Sequence, residues 1–280
     1  MLNLGLVGNY IQNSQAANLL KHLGQEYNIG LDYKLFDLSY EKNIDLNSFL
    51  KNLIIKNYHG LNITFPFKEK VLEIADILED EVKLVGSSNL LLFKEKIIAR
   101  NTDYLGFKKL LDLKFKNTFE NVLVIGGGGI GRSVCFALGK FGVKKIYLLE
   151  KDNKKADKLI LELKNNNISA EKINDQKLNN VNIEAALNCS PIGHEHSPGN
   201  PTPYLEFHKL KWIFDAVYIP AETEFITQAK KNNLMIISGI ELFVFQGVEA
   251  FLTFSEKESL REDVYSKIDN LLNLYFQKLS

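Results

Sequence analysis

Two cysteines, Cys135 and Cys189, are all that the chain carries. That is too few for a disulfide framework, and neither has a companion at metal-ligand spacing, so a reducing cytoplasm is the simplest compartment. Net charge is missing too, since 34 Lys and Arg balance 34 Asp and Glu. A nucleic-acid binder ordinarily shows a basic excess, and none is present. Arg100, Arg132 and Arg261 are the only arginines. With so many Lys, Asn and Ile, this reads as a compositional bias of the genome rather than a function. No apolar run approaches the roughly 18 residues that cross a bilayer. Residues 1–13 have neither the charged start nor the long apolar stretch of a secretion signal. These gaps predict a soluble cytoplasmic protein that engages neither nucleic acid nor membrane.

What is present is an ordinary globular composition, 45% hydrophobic and 24% charged over 280 residues, enough for one large or two ordinary domains. Short β-type runs alternate with longer helical ones, the pattern of an α/β fold with parallel strands. Strands are expected at 4–7, 33–36 and 61–64, and helices at 18–27 and 47–55. Phe67, Val71, Ile74 and Leu78 recur at helical spacing and predict an amphipathic helix with Pro66 in its first turn. Segments 90–93 and 97–100 read as a hairpin, and a helix at 107–113 follows. A second series of strands is expected at 122–125, 146–149, 185–188, 213–215 and 234–237, with lysine-rich helices such as 153–164 between them. Those lysines read as a solvated face. Helices at 241–254 and 257–279 close the chain.

Val122-Leu-Val-Ile-Gly126-Gly-Gly128-Gly129-Ile-Gly131-Arg132 runs from a strand through G-x-G-x-x-G into a helical pattern. Gly126 permits the tight turn, Gly128 lets the backbone approach a pyrophosphate, and Gly131 lets the helix pack on the strand. Free N–H groups at the helix start then meet the anion. The hexapeptide alone is a weak signal, equally open to a structural glycine turn. The strand before it, the helix after it and the next strand at 146–149 favour a dinucleotide site. Glu150 closes that next strand. A carboxylate there accepts hydrogen bonds from the ribose hydroxyls of NAD and repels a 2′-phosphate. Lys151 and Lys155, as neighbouring cations, suit that phosphate instead, and Glu150 also fits a solvated helix start. The reading is NAD, with NADP the alternative.

The first half also carries Gly60-Leu-Asn62-Ile-Thr64-Phe-Pro66-Phe-Lys68-Glu69, Ser88-Asn89-Leu90 and Asn101-Thr102-Asp103-Tyr-Leu-Gly106. The second carries Asn188-Cys-Ser190-Pro191-Ile-Gly193, Asp215-Ala-Val217-Tyr218-Ile-Pro220, Gly239 and Gln246-Gly247. In this order, over nearly the whole chain, the series resembles the shikimate dehydrogenase family. Glu150 and the Ser-Pro-Ile-Gly-His-Glu-His loop look closer to its NAD-using quinate/shikimate branch. The resemblance implies a substrate-binding α/β domain over 1–105, a Rossmann dinucleotide-binding domain over 106–240, and C-terminal helices over 241–280 that return to the first domain. It implies reversible NAD(P)-dependent interconversion of 3-dehydroshikimate and shikimate, with quinate a further substrate, within aromatic amino acid biosynthesis. The chain would act as a monomer or homodimer.

Lys68 and Asp103 match the family's catalytic pair. Oxidising an alcohol needs its O–H proton removed as hydride leaves carbon. A lysine serves only where burial or a neighbouring cation brings its pKa down, and oxidised nicotinamide is such a cation. Asp103 is assigned to orienting Lys68 and binding hydroxyls. Ser14, Asn62, Thr64, Asn89, Tyr218 and Gln246 match substrate positions, where amides and hydroxyls both donate to and accept from a polyol. On the cofactor side the resemblance adds Gly129, Arg132, Lys151, Ser190, Val217 and Gly239 to Gly126, Gly128, Gly131 and Glu150. No metal is expected, since His194-Glu195-His196 has no third ligand at a usual spacing.

One loop departs from the family. Where two hydroxyls bind the substrate carboxylate, the sequence reads Asn13-Ser14-Gln15-Ala16-Ala17, so one hydroxyl and a proline are gone. Losing a hydrogen bond to a charged group costs about 1.5–3 kcal/mol. Leu90 likewise replaces a threonine beside Asn89. Two rivals follow, a paralogue acting on another cyclic polyol or amino-substituted ring acid and a non-catalytic nucleotide-sensing module.

Overall fold

The computed structural model describes residues 1–41 and 44–279. They divide into two compact units, Met1–Gly106 with Gln246–Ile268, and Phe107–Phe245 with Asp269–Ser280. Each is built on its own six-stranded sheet.

In the first unit β1 (Leu2–Gly8), α1 (Ala16–Glu26), β2 (Leu31–Asp37), α2 (Leu46–Ile55) and β3 (Gly60–Ile63) alternate. β1 is flanked by β2 and β3 and parallel to both. Leu19, Leu20 and Leu23 form the buried stripe of α1. α2 starts where the Asp45 carboxylate accepts the N–H groups of Asn47 and Ser48, a side-chain cap on otherwise orphaned donors. The chain continues through β4 (Ile77–Leu78), α3 (Asp80–Val85), β5 (Leu90–Phe93), β6 (Ile97–Arg100) and α4 (Thr102–Lys114). The sheet order is β2-β1-β3-β5-β6-β4, with β5 antiparallel to both neighbours. Val7, Leu50, Leu61, Ile63, Phe67 and Val71 fill one core on this sheet.

The amphipathic helix expected over 67–78 does not form. Phe67 and Val71 are buried as its periodicity demands, but only Lys70–Glu73 winds, as one 3-10 turn. Beyond it the Asp76 N–H donates to the Ile97 carbonyl at 2.9 Å, the Asp76 carboxylate takes the Ile97 N–H at 2.7 Å, and Ile77 pairs with Ile98. The sheet edge satisfies those backbone groups, and tertiary pairing overrides a helical pattern.

The second unit runs β7 (Asn121–Ile125), α5 (Gly129–Phe141), β8 (Lys145–Leu149), α6 (Asn153–Asn165), β9 (Ala170–Lys172), β10 (Ala185–Asn188), β11 (Trp212–Asp215), α7 (Glu224–Lys231) and β12 (Met235–Ser238). Its pairings are all parallel, in the order β12-β11-β10-β7-β8-β9. Central strands of a parallel sheet are covered on both faces, hence the unbroken apolar run at 122–125. This is the doubly wound Rossmann order, and it reverses between β7 and β10, the switch point where such sheets take ligands. Both cysteines, Cys135 and Cys189, are buried in this unit as free thiols.

α8 (Gly239–Ser255), α9 (Arg261–Ser266) and α10 (Ile268–Leu279) finish the chain. The single helix expected over 257–279 is interrupted at Lys267, whose ammonium pairs with Asp263 at 2.7 Å and Glu26 at 3.6 Å. Arg261 holds the buried Glu249 through two nitrogens, at 2.5 and 3.0 Å, fixing α9 on α8. The expected return of all of 241–280 to the first domain is also divided. Gln246–Ile268 groups with the first unit, while α10 groups with the second, where Tyr275 meets Phe243 edge-on with ring centroids 5.4 Å apart. No helix among the described residues is long and apolar enough to cross a membrane.

Candidate functional site

The first unit gathers its polar side chains where β3 ends, β5 begins and β6 runs into α4. Backbone bonds set this junction, with Ile63 N–H on the Asn89 carbonyl at 2.8 Å and Ser88 N–H on the Lys68 carbonyl at 2.8 Å. Asn101 accepts the Tyr104 N–H at 2.9 Å through Oδ1 and so caps the first turn of α4. Asp103 lies in that turn, where the helix dipole favours a negative charge. Lys68 Nζ reaches Asp103 Oδ2 at 2.6 Å, with the two side chains only 15% and 9% exposed. A short, sheltered N⁺–H···O⁻ bond of this kind is charge-assisted and strongly directional.

Around it, Asn89 is locked to Thr102. Nδ2 donates to Thr102 Oγ1 at 2.9 Å, and Oδ1 accepts the Thr102 N–H at 2.7 Å. Thr102 Oγ1 also lies 3.4 Å from Oε1 of Gln246, so that residue joins the cluster from α8. Asn62 takes the hydroxyl of Tyr33 on Oδ1 at 2.8 Å. Thr64 directly follows β3, with its N–H on the Val7 carbonyl at 2.9 Å. In the departing loop, Ser14 Oγ accepts the N–H of Ala16 at 3.3 Å, and α1 then begins with no side-chain cap of its own at Gln15.

In the second unit Gly126 leaves β7 at φ +92°, a left-handed conformation that suits glycine, and lies against Cys189 and Ser190 beyond β10. Gly128 and Gly129 lead into α5, and a Cβ on Gly131 would stand 1.9 Å from the Gly126 carbonyl oxygen. The cradle therefore needs glycine where the dinucleotide motif puts it. Glu150 accepts the Gly127 N–H at 2.6 Å on one oxygen and the Asp152 N–H at 3.0 Å on the other. Beyond it lies a cavity of about 380 Å³, lined by Glu150, Lys151, Asn153, Ile173, Asn174 and Lys177 among others. Lys155 places Nζ 3.7 Å from where a Gly128 Cβ would sit. Turn, helix start, carboxylate and cavity together fit a dinucleotide. Arg132 is differently engaged, buried and paired with Glu162 at 2.6 Å.

Ser190 donates through Oγ to Asn188 Oδ1 at 2.7 Å, and Asn188 passes Nδ2 to Asp215 at 2.9 Å. Asp215 also accepts the Val217 N–H at 3.0 Å and the Thr223 hydroxyl at 2.6 Å. Tyr218 stacks on Phe243 at 5.5 Å, and Gly239 opens α8 in contact with the Ala216 carbonyl. Sequence reasoning gave no role to Tyr33, Thr102 or Asp215. For Tyr33 and Asp215 the one available signal was a polar group on a strand, whereas Thr102 lay inside the N-T-D run. His194 Nδ1 accepts the His196 N–H, and among the described residues no group of three or more His, Cys, Asp or Glu is placed to hold a metal.

Burial pushes the Asp215 carboxyl up to about 6, against its three hydrogen bonds, from the ordinary 3.8. The folded unit thus keeps a proton that the unfolded chain has already released. This contribution to stability is complete below about pH 4 and is lost as pH rises through about 6. In urea titrations, the stability of the wild type relative to Asp215→Ala is expected to fall across that window, and a flat difference would contradict the assignment.

Residues 6–91 match the family model for the shikimate dehydrogenase substrate binding domain. A shikimate dehydrogenase (NADP(+)) of Clostridium perfringens (strain 13 / Type A) is 32% identical over 271 residues, covering 94% of this chain and 97% of the relative. One from Pelagibacter ubique (strain HTCC1062) is 30% identical over 275 residues, covering 96% and 98%. The crystallised quinate dehydrogenase of Corynebacterium glutamicum, in complex with NAD, superimposes with a TM-score of 0.83 at 25% identity, covering 95% of this chain and 99% of that one. Identity at this level over whole chains, on the same α/β and Rossmann architecture, leaves one assignment: the chain belongs to the shikimate dehydrogenase family.

Proposed function

We propose that this chain is an NAD-dependent dehydrogenase that interconverts shikimate and 3-dehydroshikimate, with quinate as a further substrate. The observation that carries the reading is the sheltered Lys68–Asp103 pair, in one unit with the buried Asn62 and Asn89 amides. Its relatives are named shikimate dehydrogenases, and that reaction belongs to aromatic amino acid biosynthesis. Lys68 moves the proton of the reacting alcohol, at Nζ. Asp103 holds the ammonium in place and accepts from a ring hydroxyl. Asn62, Asn89, Thr64 and Gln246 bind the remaining hydroxyls, and Ser14 binds the carboxylate. Gly126, Gly128, Gly129 and Gly131 hold the pyrophosphate against the start of α5, while Ser190, Val217 and Gly239 shape the nicotinamide end. When bound, the nicotinamide ring supplies the hydride acceptor or donor. Arg132, paired with Glu162, follows the glycine turn on α5 and completes this cofactor side.

NAD is favoured because Glu150, anchored by two N–H groups, keeps a carboxylate where the adenosine ribose would lie. NADP is the second reading, favoured by the Lys155 ammonium near Gly128, by Lys151 in the cavity that Glu150 lines, and by the cofactor named for the two bacterial relatives. Initial rates with shikimate and each cofactor decide. NAD is expected to give a kcat/KM roughly tenfold higher, and Glu150→Ala to narrow the gap. Faster turnover with NADP overturns the choice of cofactor, and turnover with neither overturns the function. We infer a cytoplasmic monomer or homodimer that needs no metal, to be checked by light scattering and by activity after chelation.

A further inference from the structure

Asn62 and Asn89 are 7% and 4% exposed, so which end of each amide faces a ligand matters. An amide offers an acceptor at one end and two donors at the other, and flipping it reverses the recognition. Tyr33 is 5% exposed on β2, and its hydroxyl donates to Asn62 Oδ1 at 2.8 Å. With the amide reversed, Nδ2 would donate to the phenol oxygen and the buried hydroxyl proton would be left without an acceptor, which is costly. At Asn89 the backbone settles the matter. The Thr102 N–H can only donate and lies 2.7 Å from Oδ1, while Thr102 Oγ1 takes Nδ2 at 2.9 Å. The unused capacity is therefore on nitrogen. Asn62 Nδ2 makes no hydrogen bond among the described residues.

We propose that Tyr33 and Thr102 are positioning residues that turn the donor ends of Asn62 and Asn89 toward the ligand. The lining then selects ring acids whose hydroxyl oxygens accept, and rejects analogues with an ammonium in place of one of those hydroxyls. Asp103 is the exception, a carboxylate that accepts. The proposal rests on the ring-acid reading of the Lys68–Asp103 site and deepens it, naming the hydrogen-bond polarity of the substrate. It also separates this chain from the rival paralogue, since an amino-substituted ring acid would face donors with donors.

The test uses shikimate and its analogues in which single ring hydroxyls are replaced by ammonium, as competitive inhibitors of the intact chain. The wild type is expected to bind at least one such analogue more than about tenfold worse than shikimate. Asn62→Asp keeps an acceptor for Tyr33 but puts oxygen where nitrogen was. It should raise KM for shikimate roughly tenfold and improve by a similar factor the binding of the analogue the wild type rejects most. Tyr33→Phe should raise KM about tenfold with kcat within about twofold, add little to Asn62→Ala, and leave nucleotide affinity unchanged. Thr102→Ser should recover most of the loss seen in Thr102→Val. A purely structural role for Tyr33 would lower stability without this split between KM and kcat. Equal binding of all analogues, or an unmoved preference in Asn62→Asp, overturns the proposal even if Tyr33→Phe fails to fold. Absence of shikimate turnover by the wild type with either cofactor is a different result, and it removes the underlying reading together with this one.

Discussion

Lys68→Ala is expected to lower kcat about 10³-fold while leaving nucleotide affinity within about twofold of wild type. The ammonium is 2.6 Å from Asp103, and both side chains are largely shielded from water. Among the described residues no other lysine pairs with that carboxylate. The alcohol proton thus loses its carrier, whereas the glycine turn in the other unit keeps its shape. KM for shikimate should rise only modestly, because the Asn62 and Asn89 amides and their partners are untouched. Steady-state kinetics with calorimetric titration of the nucleotide separates the two quantities. Undiminished turnover would remove Lys68 from the mechanism. A wild type that binds nucleotide but turns over no ring acid would point to the sensing module. Asp103→Asn should be milder, since it keeps a side chain beside Nζ but loses the charge.

Gly131→Ala carries the second large effect, an expected loss of about 100-fold in nucleotide affinity, or roughly 3 kcal/mol. The added carbon would stand 1.9 Å from the carbonyl oxygen of Gly126. The oxygen is backbone and a Cβ has no torsion by which to avoid it, so the Gly126 turn or α5 must move, and with it the row of N–H groups at the helix start. Gly128→Ala is the informative contrast. Its added carbon would meet only Lys155 Nζ, at 3.7 Å, an ordinary contact. It should therefore leave the unfolding midpoint alone and weaken binding only by crowding the pyrophosphate. Equal affinity in wild type and Gly131→Ala would mean that this turn does not hold the nucleotide.

The glycine turn and the N-T-D run were legible in the sequence because their chemistry depends on residue type at fixed short spacing. The hairpin at 90–93 and 97–100 was equally plain, two short and mainly apolar runs separated by Lys94-Glu95-Lys96. β9 gave no signal, since Ala170-Glu-Lys172 is a polar edge strand defined by its partner β8. The 67–78 segment misled because its 3.6-residue period describes burial, while its hydrogen bonds go to β6. Tyr33 shows the deeper limit. Its partner Asn62 lies two strands away across β1, a relation set by sheet order and by no local pattern. Thr102 sat inside a recognised motif, yet its part depends on the Asn89 amide that β5 delivers. Asp215 was hidden likewise, its three donors coming from the end of β10, from Val217 and from the cap of α7.

Burial pushes the Cys135 thiol up to about 12 and Cys189 well above its ordinary value. Thiolate is the species that alkylating and disulfide reagents attack, so native protein should resist them. The chain has only these two sulfhydryls, and both lie in the nucleotide-binding half. Their modification rate therefore clocks the transient opening of that half alone. Saturating nucleotide should slow the clock, while a ring acid held by the other half gives no direct protection.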